Sequence, residues 1–257
     1  MRRIAVRDGV ALACDDRGKG PAVLFLHGWG TSRLVWGGQA SDLAADFRLV
    51  TYDARGCGDS DHPATGYTIA QAALDALALA DDLRIDRFCL VGSSLGGNAA
   101  LEAALLAPDR IERLITVDAP LHWFADGVDR KAFAAWLLQL RTDRFGTIEA
   151  TVPGWFGPGT GALLPAWTAA QLLRSIWSID ALIEDAASHD RRGELSRLTM
   201  PVHLFHGRQD GEVPLSVAEA TARLLPDARV HIFEQCGHMP HLENRTEFSM
   251  RLCEALS

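Results

Sequence analysis

Residues 89–100 read CLVGSSLGGNAA: two adjacent serines among glycines, after an apolar run and before a helical pattern. A glycine-rich turn between a strand and a helix can hold a pyrophosphate at the helix N-terminus. Here Ser94 stands where G-x-G-x-x-G requires its middle glycine, and no G-K-S/T follows, so no nucleotide cofactor is expected. Gly92-Ser93-Ser94-Leu95-Gly96 fits G-x-S-x-G instead, the pattern in which the central serine rides a sharp, strained turn. Small residues two before and two after it give the backbone room to fold that tightly. Ser94 is thereby the candidate nucleophile and Ser93 its neighbour.

A serine hydroxyl is a weak nucleophile alone and needs a general base with a group to orient it. EQCGHMPHLE (234–243) supplies His238, after the strand pattern VHIF and before a helix expected from Pro240. LFHGRQDGEVP (204–214) supplies Asp210 in the loop after the preceding strand. The chain order Ser94, Asp210, His238 suits a nucleophile-elbow hydrolase, with each residue at the C-terminal end of a strand. Asp118 in ITVDAP (115–120) ends the strand after the nucleophile helix and stays open as the alternative acid. A developing oxyanion needs donors. The backbone N–H groups of Trp29, in LFLHGWG (24–30), and of Leu95 are the candidates.

Working outward, short apolar runs alternate with longer helical patterns, the signature of an α/β fold with a mostly parallel, twisted sheet and helices on both faces. Asp8-Gly9 marks an opening antiparallel hairpin. AVLFLHG, FRLVTYD, FCLVG, RLITVD, VHLFHG and VHIF are candidate strands, with helices expected near 36–46, 68–82, 95–107, 215–225 and 240–256. The alternation fails over 121–195, where no strand run occurs and five of the seven tryptophans (Trp123, Trp136, Trp155, Trp167, Trp177) collect. That segment is expected to be an inserted helical cap, divided by the Pro/Gly-rich TVPGWFGPGTGALLP (151–165), over a core of 1–120 and 196–257. Most of its tryptophans are expected to pack the insertion onto the core.

Composition excludes several classes. A net charge of −8 over 257 residues, with no basic stripe, argues against a nucleic-acid partner. The five cysteines are odd in number and irregularly spaced, so reduced thiols are expected. Cys236 reads as a packed thiol rather than a nucleophile. The N-terminus lacks the apolar core of a signal peptide and no run reaches transmembrane length, which predicts a cytoplasmic protein without a membrane partner. His203 and His206 fall on opposite faces of one strand, and nothing completes a site around His238 and His241, so no metal is expected. Asp53, Arg55 and Asp59 in YDARGCGDS read as a structural turn whose charges pair with one another or with solvent. Arg130, Lys131, Arg141, Arg144, Arg174, Arg191 and Arg192, interspersed with acids, read as a solvated surface.

Taken together, HGWG, YDARGCGDS, GSSLGG, HGRQDGEVP and CGHMPHLE resemble the α/β-hydrolase superfamily over essentially the whole chain outside the cap. The combination of HGWG and SLGG is similar to the pimeloyl-carrier-protein methyl ester esterases. The wider pattern is similar to cofactor-free esterases, lactonases and perhydrolases. Haloalkane dehalogenases and epoxide hydrolases of this fold carry aspartate where Ser94 stands, and some relatives take their acid from the position of Asp118. The resemblance implies the α/β-hydrolase fold and a cofactor-free serine hydrolase, monomeric or homodimeric. It would cleave an ester, thioester or lactone of a small to medium apolar substrate, free or carrier-bound, through an acyl-enzyme. Peracid formation, carbon–carbon bond hydrolysis and acyl transfer use the same triad and are the alternative reactions. A slow-turnover signalling or receptor protein is the alternative class.

Overall fold

The structure, a computed structural model, describes residues 1–122 and 129–257. Strands β1 (Arg2–Ala5) and β2 (Ala11–Arg17) form the expected hairpin, which turns at Gly9 with φ +83°. They are followed by β3 (Ala22–Leu26), β4 (Arg48–Tyr52), β5 (Phe88–Ser93), β6 (Ile111–Val117), β7 (Val202–Gly207) and β8 (Ala228–Phe233). The order across the sheet is β1-β2-β4-β3-β5-β6-β7-β8, antiparallel at β1–β2 and β2–β4 and parallel beyond. The chain winds outward from β3 to β4, then returns to the other side of β3 with β5. The loops leaving β3 and β5 therefore part at a crevice above their carboxyl ends, where ligands bind in open α/β sheets.

Helices α1 (Gly37–Asp42), α2 (Ile69–Asp82) and α3 (Leu95–Leu106) precede the segment between β6 and β7. The described helices of that segment are α4 (Arg130–Thr142), α5 (Arg144–Thr151), α6 (Leu163–Arg174) and α7 (Ala181–Ser188). Helices α8 (Leu215–Ala222), α9 (Pro240–Glu243) and α10 (Arg245–Leu256) complete the chain. Because strand side chains alternate, β3 sends Val23 and Phe25 into one apolar layer and Leu24 and Leu26 into the other. The first layer is closed by Trp36, which lies 5.1 Å from Phe25, and by Phe248 and Leu252 of α10. The second is closed by Ala76 and Leu79 of α2, Ala99 and Ala103 of α3, and Ala218 of α8. Each large apolar side chain buried here contributes on the order of 2 kcal/mol.

Several expectations are corrected. The helix expected over 36–46 is ordered as α1 only to Asp42. The helix expected over 240–256 is two helices, because Asn244 (φ −132°, ψ 64°) leaves helical geometry and accepts from the Glu247 N–H as the cap of α10. The charges of YDARGCGDS find most of their partners outside that loop. Arg55 is gripped by Asp75 of α2 through two bonds of 2.7 Å and reaches Asp8, while the buried Asp53 holds Arg33 and the Asp59 N–H. Arg144 is not on a solvated surface but buried against Asp180. Trp177 is 65% exposed and does not pack the insertion onto the core. Trp123 lies outside the described residues. Among the described residues no helix is long and apolar enough to cross a membrane.

Candidate active site

The turn between β5 and α3 carries Ser94 at φ 51° and ψ −126°, a conformation that an L residue adopts at a cost of about 1–3 kcal/mol. Its neighbours must be glycine for the turn to close. A Cβ on Gly92 would sit 2.2 Å from the Gly96 carbonyl oxygen, and one on Gly96 would sit 2.4 Å from that of His27. The Ser94 N–H donates to the Val117 carbonyl at 2.8 Å, which ties the turn to the end of β6. Ser94 and Ser93 line a cavity together with Trp29, Leu95, Glu212 and His238.

His238 and Asp210 meet at the same cavity. The His238 Nδ1 lies 2.8 Å from Asp210 Oδ2, and Asp210 Oδ1 accepts from the Glu212 and Val213 N–H groups at 2.8 and 3.0 Å. Burial alone would lift the Asp210 pKa, but the His238 charge and hydrogen bond and the Val213 N–H hold it below the ordinary aspartate value. Burial likewise opposes a positive His238, yet the Asp210 charge and bond outweigh it and raise the imidazole above its ordinary value. The ring is thus fixed with its Nδ1 proton on Asp210 and its Nε2 free for other work.

Asp118, the alternative acid, is also buried, at φ 48°, but its Oδ1 accepts from the Gly207 N–H at 2.8 Å and it makes no bond to His238. Burial first, and then the neighbouring Asp210 charge, push its carboxyl well above the usual range. Of two carboxyls this close, one keeps its proton. Asp118, Asp210 and His206 bring ligand-type atoms within 4.8 Å of one another. His206 Nε2 is 2.9 Å from the Val213 carbonyl, so this nitrogen carries the proton and has no lone pair for a metal. His203 and His206 do point apart, since His203 bonds His231 at 2.9 Å instead.

Trp29 and Leu95, the expected oxyanion donors, both line the cavity, and Leu95 opens α3, where the first N–H groups have no acceptor in the helix. The loop that carries Trp29 is set by His27. The Ala54 N–H donates to its Nε2 at 2.9 Å, which leaves Nδ1 as the donor to the Gly28 carbonyl at 2.8 Å. Burial lowers the His27 pKa and keeps the ring neutral in that tautomer. The Trp29 indole donates to Asp180 at 3.1 Å, and Arg144 grips both oxygens of Asp180 at 2.5 Å while lying 5.5 Å over the Trp29 ring. The segment between β6 and β7 thus holds the side chain of a residue that lines the same cavity as Ser94.

Three further residues at the site were not foreseen in the sequence. Trp155 gives its carbonyl to the His238 N–H and its indole N–H to Glu212 at 3.1 Å. Glu212 lines the cavity, and burial raises its pKa. Glu243 accepts from the N–H groups of Gly237 and Met239, on either side of His238, and from Gly157 N–H and Thr160 Oγ1 in the inserted segment. Glu212 sits two residues after Asp210 and Glu243 five after His238. Proximity to the motifs was the only signal for either. Cys236 is buried with its thiol pushed up to about 12, which leaves it inert beside His238.

A sequence model described as the alpha/beta hydrolase family matches residues 23–251. Pimeloyl-acyl-carrier-protein methyl ester esterase from Nitrosomonas europaea is 30% identical, over 91% of this chain and 95% of that protein. The enzyme of the same name from Vibrio parahaemolyticus is 33% identical, over 90% and 92%. Among solved structures, an esterase from Exiguobacterium antarcticum superimposes with a TM-score of 0.91 at 26% identity, covering 99% of this chain and 98% of its own.

Proposed function

Because the chain belongs to the alpha/beta hydrolase family, we propose that it is a serine esterase whose triad is Ser94, His238 and Asp210. The observation that carries the reading is the 2.8 Å contact of His238 Nδ1 with Asp210 at a cavity that also holds the strained Ser94. His238 Nε2 takes the Ser94 proton as Oγ attacks the ester carbonyl, and Asp210 stabilises the imidazolium that forms. The Trp29 and Leu95 N–H groups receive the oxyanion, each worth on the order of 3 kcal/mol in such sites. The imidazolium then returns its proton to the leaving alkoxide. Water, activated by the same nitrogen, releases the acid from Ser94.

Residues 121–195 act in this reading as a cap over a core of 1–120 and 196–257, with Trp136, Trp155 and Ile183 forming an apolar wall of the cavity. That wall supports a small to medium apolar acyl group. The names of the curated relatives support a methyl or comparably small ester, presented free or on an acyl carrier. A cytoplasmic location accords with a carrier-bound substrate. Intact-mass measurement after a fluorophosphonate tests the mechanism: one adduct is expected on the wild type and none on Ser94→Ala. An unmodified wild type, or an equal adduct on the variant, refutes it.

A further inference from the structure

Away from Thr31, Ser93, Ser94 and His238, the described residues of the cavity wall are apolar and aromatic except at one point. Besides His238, Glu212 is the only ionisable side chain among the described residues that line it. Its Oε2 accepts from the Trp155 indole at 3.1 Å, while no described residue donates to its Oε1. Three tryptophans line the cavity: Trp155, which meets this carboxyl, lies 6.4 Å from Trp29 between ring centroids, and Trp29 lies 6.0 Å from Trp136. Among the described residues no arginine or lysine lines the cavity to neutralise it. Arg144 lies behind the Trp29 ring and is committed to Asp180.

We propose that Glu212 sets the charge preference of the pocket: it favours ligands that bring a cationic group to the tryptophan-lined wall and disfavours those that bring a second carboxylate. A half-buried carboxylate attracts a cation and repels an anion more strongly than it would in water. The faces of tryptophan rings also attract cations, ammonium groups above all. Both effects have the same sign here, and both act on the part of the substrate remote from the reacting carbonyl. The inference rests on the esterase reading only in treating the ligand as a substrate, because the charge preference belongs to the cavity itself.

Two arms test it at mildly alkaline pH, and each compares the wild type with Glu212→Gln, which keeps an acceptor for the Trp155 indole, and with Glu212→Lys. In the first arm, intrinsic tryptophan fluorescence is titrated with butyltrimethylammonium and with pentanoate, and no turnover is required. In the second, kcat/KM is measured on p-nitrophenyl esters whose acyl chains end in a trimethylammonium, a methyl or a carboxylate group. Each value is divided by that of the methyl ester on the same variant, so that any general loss of activity cancels. The wild type should favour the cation over the anion by about tenfold or more in both arms, Glu212→Gln should bring the ratio near one, and Glu212→Lys should invert it. A wild type without the preference, or one that survives unchanged in both variants, overturns the proposal. If the first arm holds while no ester is turned over, the pocket assignment stands and the esterase reading falls.

Discussion

At the scale of single residues, two buried aspartates stand close together, only one of them meets His238, and their surroundings set their charges apart. Asp210 is held ionised by His238 and by two backbone N–H groups, whereas burial and the Asp210 charge keep a proton on Asp118. A neutral acid is nearly isosteric with an amide, so Asp118→Asn should change kcat/KM by no more than about threefold. Asp210→Asn should lower it by about 10⁴-fold, the scale seen when a triad acid is neutralised. Reversed effects would make Asp118 the acid. The pH dependence follows from the same groups. The base must be neutral to act, so activity falls as pH drops through the His238 pKa, which lies above the ordinary value of about 6.5. An acid limb of kcat/KM centred above that value is expected in the wild type, and it should shift down in Asp210→Asn, where burial is left to act without the carboxylate. The strained turn at Ser94 was legible in the sequence because it dictates glycine at fixed offsets, and the meeting of His238 with Asp210 because each follows a strand end on the same side of the sheet. The ionisation of Asp118 was not, because it depends on the distance to a residue 92 positions away.

At the scale of elements, strands were legible and helix ends were not. Buried strands of a parallel sheet are continuous apolar runs that end at polar or glycine residues, and each of the six named runs became a strand at its expected place. Helix patterns run past their true ends because apolar periodicity continues after backbone geometry has changed, as at Asn244. That break has a use. It ends α9 at Glu243, whose carboxylate accepts from Gly237, Met239, Gly157 and Thr160 and so fixes both the His238 loop and the middle of the glycine-rich stretch 151–165. Glu243→Ala would leave these donors to find water or go unpaired, at a cost of about 2–4 kcal/mol in urea unfolding. With His238 less firmly placed, kcat should also drop by about 10- to 100-fold while KM moves little. Loss of stability with full kcat would confine Glu243 to a structural role.

At the scale of the whole molecule, helices α4–α7, between β6 and β7, meet the rest of the chain through an apolar layer and a small number of buried polar ties. The chief of these is the Arg144–Asp180 pair with the Trp29 indole. The sequence could not reveal it. Arg144 and Asp180 are 36 residues apart in a segment whose other charges are interspersed on the surface, and only the packing of α5 against the Trp29 loop desolvates them. Burial raises the Asp180 pKa in spite of the arginine beside it, so desolvation exceeds what the pair returns. Removing one partner should therefore be far worse than removing both. Asp180→Ala strands a buried guanidinium and should cost about 3–5 kcal/mol, whereas Arg144→Met with Asp180→Leu should be neutral or slightly stabilising in thermal and urea unfolding. Turnover should respond differently from stability. In the double variant the Trp29 indole loses its acceptor and the ring loses its cation, so the Trp29 N–H, the proposed oxyanion donor, is held less firmly. The double variant should thus keep its melting temperature but lose about tenfold in kcat with little change in KM, since the N–H acts on the oxyanion and not on the bound ester. A double variant as active as the wild type would make the pair a matter of packing alone, and one that melts early with full activity would reverse the order of effects argued for it.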